Sequence, residues 1–129
     1  MNVTVLIITH GDIGSALVRT TTKVMGELPL PTIVVNTEEN ADPETLLPKL
    51  HHLIDNVGTP EGILILTDLF GSTPSNVAKA LNNEFDTKII CGVNLPMLMR
   101  IMNYANSTLD QLVEKALAGG KDGVREAHN

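Results

Sequence analysis

The residues of this chain best suited to chemistry follow two apolar runs. Val3–Ile8 leads into Thr9-His10-Gly11-Asp12-Ile13-Gly14, and Ile63–Leu66 leads into Thr67-Asp68-Leu69-Phe70-Gly71-Ser72-Thr73-Pro74. An imidazole, with an unperturbed pKa of about 6.5, is largely neutral near pH 7 and can act as a nucleophile. Only the ring nitrogen without the proton can attack. A carboxylate that accepts from the other N–H fixes the tautomer and offsets the positive charge that grows on the ring. Asp68 suits that role toward His10. Asp12 is a rival acid, set where a helix cap is wanted. Phe70, Gly71, Ser72 and Thr73 add a glycine, hydroxyls and the amino end of a helix, whose free N–H groups suit phosphate oxygens. Gly11 and Gly14 let backbone approach closely from the other side. A histidine nucleophile, a carboxylate that orients it and an anion cradle describe phosphoryl transfer through a phosphohistidine. Each piece also has a structural reading, with Asp68, Ser72 and Thr73 as caps and the glycines as turns. Their coincidence at matching chain positions favours the chemical one.

The elements that must position these residues are legible as alternating patterns. Four short runs rich in β-branched residues, Val3–Ile8, Thr32–Val35, Ile63–Leu66 and Lys88–Val93, predict strands. Between them, Ile13, Leu17, Thr21, Val24 and Leu28 follow one helical face, with Thr21 its weak point. Leu46, Leu47, Leu50, Leu53, Ile54 and Val57 follow another, and Val77, Ala80 and Leu81 a shorter third. Pro96–Asn103 predicts a short helix. Leu109, Leu112, Val113, Ala116 and Leu117 predict a last one, with Gly119-Gly120 as its stop. Asp42-Pro43 and Thr73-Pro74-Ser75 read as helix starts, Gly58-Thr59-Pro60 as a stop, and Ser107 or Thr108 as a cap, with Gln111 three residues after Thr108. The alternation predicts an α/β domain of three layers, a mainly parallel open sheet of order 2-1-3-4 with helices on both faces. Ligands of such sheets gather at the carboxyl ends of strands. Strands one and three as neighbours place His10 and Asp68 across one crevice, with Asn94-Leu95-Pro96 following strand four.

The 129 residues suit a single domain, 1–129, whose polar end from about residue 120 frays. The net charge of −6 and an aromatic content of 2% argue against nucleic-acid binding. The lone Cys91 excludes an internal disulfide and reads as a small core residue of a buried strand. No apolar run reaches the roughly 20 residues of a membrane span, and the start has no signal-peptide pattern, so a cytoplasmic location is expected. His51 and His52 read as solvated helix surface, His128 as tail, and no metal or cofactor is expected. Neither G-x-x-x-x-G-K-[ST] nor G-x-G-x-x-G occurs. Met97, Met99 and Met102 with Leu98 and Ile101 make a helix apolar all round, which suggests a dimer contact. Phe70 reads equally as core or as a docking surface for a partner.

The motifs Val5-Leu6-Ile7-Ile8-Thr9-His10-Gly11, Leu66-Thr67-Asp68-Leu69-Phe70-Gly71-Ser72-Thr73-Pro74-Ser75-Asn76 and Gly92-Val93-Asn94-Leu95-Pro96-Met97-Leu98 closely resemble the IIA domain of the mannose family of the bacterial sugar phosphotransferase system. The resemblance covers essentially the whole chain. It implies a phosphotransferase, usually homodimeric, that takes a phosphoryl group from the phosphocarrier HPr and gives it to a IIB protein. By that analogy His10 carries the group on Nε2 and Asp68 holds Nδ1–H. Ser72, with the nearby amides of Gly11, Phe70, Gly71 and Thr73, holds the phosphoryl oxygens. The chain stops soon after its last helix, so a separate IIB acceptor is expected, for sugar uptake beside a membrane permease or for regulation alone. The phosphotransferase subunit of dihydroxyacetone kinase is an alternative with the same histidine. A receiver-like or flavodoxin-like binding module fits less well, since His10 stands where a receiver needs acids, and stacking aromatics are scarce.

Overall fold

A computed structural model describes residues 2–37, 42–58 and 60–128. Strands β1 (Val3–His10), β2 (Thr32–Thr37), β3 (Gly62–Thr67) and β4 (Thr87–Cys91) alternate with helices α1 (Ile13–Met25), α2 (Pro43–Asn56) and α3 (Ser72–Leu81). Helices α4 (Leu95–Asn103) and α5 (Leu109–Asp122) follow. Every strand pair is parallel and the order is β2-β1-β3-β4, as the alternation predicts.

Successive side chains of the central strands feed opposite cores. Val3, Val5 and Ile7 of β1, with Leu64 and Leu66 of β3, pack against Leu98 and Ile101 of α4 and Leu112 of α5. Leu6, Ile8, Ile63 and Ile65 pack against Leu50 and Ile54 of α2 and Val77 and Leu81 of α3. Burial on both faces is why β1 and β3 read as unbroken apolar runs. At the sheet edge, β4 stops at Cys91 rather than Val93, and Lys88 and Cys91 are exposed. Cys91 therefore lies on the surface and not in the core.

The helix α1 turns inward Leu17 and Thr21 of the face that its apolar spacing predicts, but leaves Ile13 and Val24 of that face in solvent. Ile13 and Val24 are 46% and 60% exposed, whereas Thr21 is fully buried. The inward stripe is Gly14, Leu17, Val18, Thr21 and Met25. The Thr21 hydroxyl donates to the Leu17 carbonyl at 2.7 Å, which removes the cost of burying it. Gly14 sets this rotation. A Cβ there would lie 2.9 Å from Thr9 Oγ1, 3.0 Å from Ile7 Cγ2 and 3.2 Å from Val34 Cγ1. Gly14 is thus a packing contact between α1 and the sheet rather than a place where a ligand meets backbone. Its N–H donates to Thr9 Oγ1 at 2.7 Å, while Asp12, at the N-cap position, makes no side-chain cap bond.

The glycine pair expected to stop α5 lies inside it. The helix continues to Asp122 and is capped at Gly123, because Gly119 and Gly120 are where α5 presses on α4. Added Cβ atoms would lie 2.6 Å from Arg100 Cβ and 2.8 Å from Met97 Cε. Residues 120–122 are accordingly helix rather than tail. Thr108, not Ser107, caps α5, with the reciprocal Gln111 bonds of a capping box. Met97, Leu98, Ile101 and Met102 of α4 are buried within the chain, while Met99 is only partly buried. Asp42 Oδ1 accepts from the Glu44 N–H at 3.0 Å to start α2. Its expected stop includes Thr59, which lies outside the described residues. On that helix His51 Nδ1 sits 3.4 Å from Glu84 Oε2, a surface pair, and His52 is exposed.

Gly14→Val is expected to lower stability by about 1–3 kcal/mol through overpacking. The check is the urea midpoint, and a wild-type value would show that α1 can lift from the sheet at no cost.

Candidate functional site

The site is assembled by strand register. In the β1–β3 pair Ile8 lies opposite Thr67, so β1 runs two residues further and carries His10 over the end of β3. On its other side His10 pairs with Thr37, the last residue of β2. Asp68 follows β3 directly and grips His10 twice. The His10 N–H donates to Asp68 Oδ2 at 3.1 Å, and ring Nδ1 lies 3.2 Å from Oδ2 and 3.3 Å from Oδ1. The Leu69 N–H adds a bond to Oδ1 at 2.9 Å, and the Thr67 hydroxyl reaches the same oxygen at 3.4 Å. Side-chain exposure is 59% for His10 and 16% for Asp68.

Burial pushes the Asp68 carboxyl up. The hydrogen bonds from the His10 N–H, the His10 ring and the Leu69 N–H, with the charge of the imidazole, pull it further down, and the net result lies below its ordinary value. Contact through Nδ1 leaves Nε2 as the nitrogen available for reaction. Among the described residues it has no hydrogen-bond partner.

Beside the ring is a cleft of about 200 Å³ whose walls include His10, Asp68, Thr37, Gly71, Ser72 and Thr73. Helix α3 opens into it. Gly71 is its N-cap, with extended backbone, and no side chain caps the helix. Pro74 has no N–H, so the first-turn amides without an intrahelical partner are those of Ser72 and Thr73, at the positive end of the helix dipole. This is an arrangement that binds anions.

Of the residues singled out from sequence, Gly11 and Phe70 do not line the cleft. The Gly11 N–H is committed to the Thr37 carbonyl at 3.1 Å, and its φ of +51° turns the chain out of the sheet, a conformation that favours glycine. Phe70 is 66% exposed and its neighbour Leu69 67%, so Phe70 is not core. Asn94 caps α4 by accepting from the Met97 N–H at 2.9 Å and donates to the Gly120 carbonyl at 3.1 Å; it ties α4 to α5, away from the cleft. Thr37 is a further cleft residue, outside the set that the sequence singles out, because the β-branched run of strand two ends at Val35; its signal is a hydroxyl at the carboxyl end of a strand. A larger, more open hollow of about 770 Å³ lies among Pro96, Arg100, Lys121, Asp122 and Arg125, and neither His10 nor Asp68 lines it. Among the described residues no three His, Cys, Asp or Glu side chains come together as a metal site, and no helix is long and apolar enough to cross a membrane.

A carboxyl held below its ordinary range stabilises the fold above that range, and the contribution is lost as pH falls through it. Between about pH 6 and about pH 3, the urea stability of Asp68→Asn should approach that of the wild type as the solution is acidified. A gap that stays constant would deny the carboxylate charge any part in stability.

Residues 4–117 match the family described as the PTS system fructose IIA component, EIIA-man, where PTS is the phosphotransferase system. The chain is 31% identical over 129 residues to the PTS system mannose-specific EIIAB component of Escherichia coli (strain K12). That match covers 97% of the chain but 39% of the relative, so the chain spans well under half of that protein. It is 30% identical over 102 residues to the PTS system fructose-specific EIIA component of Bacillus subtilis (strain 168), covering 78% and 69% of the two. The crystal structure of phosphotransferase system component EIIA from Streptococcus agalactiae superposes with a TM-score of 0.80 at 25% identity, over 96% of each chain. With its sequence matched over residues 4–117 and its fold shared along nearly its whole length, the chain belongs to the EIIA-man family of PTS fructose IIA components.

Proposed function

We propose that the chain is a phosphocarrier of a sugar phosphotransferase system, in which His10 accepts a phosphoryl group from phospho-HPr and passes it to a IIB component. The observation that carries this reading is the grip of Asp68 on Nδ1, which leaves Nε2 free at the mouth of an anion-suited cleft. In the forward step the Nε2 lone pair forms a bond to phosphorus as the P–N bond of the donor's phosphohistidine breaks. The bonding pair returns to the donor ring. The His10 ring keeps its proton on Nδ1 and becomes cationic, and Asp68 offsets that charge. Gly71, Ser72 and Thr73 hold the phosphoryl oxygens. Donor, carrier and acceptor store the group in bonds of similar energy, so the transfer is reversible and catalysis is alignment plus charge stabilisation.

A cleft of about 200 Å³ lodges a phosphoryl group, whereas pockets for whole small molecules run to roughly 300–1,000 Å³. The partner must therefore sit outside it. Leu69 and Phe70, both about two-thirds exposed immediately beyond Asp68, give a protein donor or acceptor an apolar foothold. A cytoplasmic location and a homodimer belong to the same reading.

Incubated with HPr, its phosphorylating enzyme and labelled phosphoenolpyruvate, the wild type is expected to take up label and His10→Ala none; label in His10→Ala would move the nucleophile elsewhere. Loss of a charge-assisted hydrogen bond should slow Asp68→Asn by about 10- to 100-fold while it stays folded. Phe70→Ser should raise the half-saturating concentration of phospho-HPr about fivefold with an unchanged urea midpoint. If half-saturation does not move, Phe70 has no part in docking.

A further inference from the structure

We propose that Thr37 is a positioning residue for His10, holding the peptide units on both sides of that histidine so that its ring meets Asp68 correctly. The proposal rests on His10 being the phosphoryl acceptor. The Thr37 hydroxyl donates to the Thr9 carbonyl at 3.1 Å, and the Thr37 carbonyl accepts from the Gly11 N–H at 3.1 Å. The His10 N–H meanwhile donates to Asp68 Oδ2 at 3.1 Å.

The peptide unit before His10 is thus fixed at its oxygen by Thr37 and at its N–H by Asp68. The unit after it is fixed at its N–H by Thr37. Two pinned peptide planes determine φ and ψ of the residue between them, and so the direction of its Cα–Cβ bond. This matters because the ring is 59% exposed and packing restrains it little. The chain also leaves the sheet at once through Gly11, at a φ of +51°. Without the clamp, the last residue of β1 would fray where Nδ1 must stay within 3.2–3.3 Å of two carboxylate oxygens. A misplacement of about 1 Å in such a geometry can cost on the order of 100-fold in rate.

Thr37 lines the cleft, which invites the reading that its hydroxyl binds the phosphoryl group directly. A hydroxyl has one hydrogen, and this one is committed to Thr9. Donating it to a phosphoryl oxygen would open the clamp.

The test compares Thr37→Val, which keeps the shape and the backbone bond but removes the donor, with Thr37→Ser, which keeps the donor. Three quantities are read: single-turnover uptake from phospho-HPr, the ring tautomer of His10 from its 15N shifts at neutral pH, and the urea midpoint. Thr37→Val should keep a midpoint close to wild type. At saturating donor its uptake should slow about fivefold with half-saturation unchanged, and its fraction of Nδ1–H tautomer should fall. Thr37→Ser should restore both rate and tautomer. Wild-type rate and tautomer ratio in Thr37→Val would overturn the proposal, as would failure of Thr37→Ser to rescue. Slowed uptake with an unchanged tautomer ratio would make the hydroxyl a phosphoryl ligand and also overturn it. If the wild type takes no label, the acceptor reading fails, and the tautomer ratio alone decides for or against the clamp.

Discussion

One carboxylate takes hold of one histidine at two places. Asp68 binds both the backbone N–H and the ring Nδ1 of His10, so the same group that selects a tautomer also sets where the residue sits. Those bonds, with the Leu69 N–H, outweigh the burial that would otherwise favour a neutral acid. The charge that the proposed chemistry needs is thereby held in place by the geometry that the chemistry needs. Neither requirement is met by local sequence, since the two residues are 58 positions apart.

What brings them together is the sheet. The order β2-β1-β3-β4 puts β1 between β2 and β3, and the two-residue overhang of β1 past Thr67 is what lets His10 overlie Asp68. That overhang is tolerable only because β1 is gripped from both sides and buried along seven of its eight residues. The two cores fix the heights of the strands, and the strand heights fix the site. The opening of α3 beside the ring follows from the same arrangement, since α3 begins four residues after Asp68 and its first-turn amides are left uncapped. A parallel sheet thus delivers nucleophile, orienting acid and anion cradle to one rim.

Much of this was legible in sequence. Unbroken apolar runs announced buried strands, and their alternation with helical spacing led to the observed strand order. His10 and Asp68 could be singled out because each follows such a run. The errors have physical causes. Apolar spacing put Ile13 and Val24 on the buried face of α1 beside Leu17 and Thr21, but Gly14 presses that helix against Thr9 and Val34 and centres the face on Thr21, whose hydroxyl is satisfied, so Ile13 and Val24 are left exposed. Steric fit overrode hydropathy, and a glycine shows none of that in one dimension. Cys91 looked buried because β-branched runs look alike at the centre and at the edge of a sheet. Thr37 escaped because Asn36 and Thr37 lengthen β2 with polar residues, so the strand appeared to finish at Val35.

Glycines 119 and 120 carry one more implication. Each disfavours helix by about 1 kcal/mol relative to alanine, so the last turns of α5 have little intrinsic reason to coil. Their helical state is borrowed from contact with Arg100 and Met97 on α4, and the Asn94 side chain, reaching the Gly120 carbonyl, is part of the loan. Separation of the two helices would therefore melt this end instead of releasing it intact. The C-terminal segment is a reporter of whether α4 is seated, and the pair should open and close as one cooperative unit in hydrogen exchange.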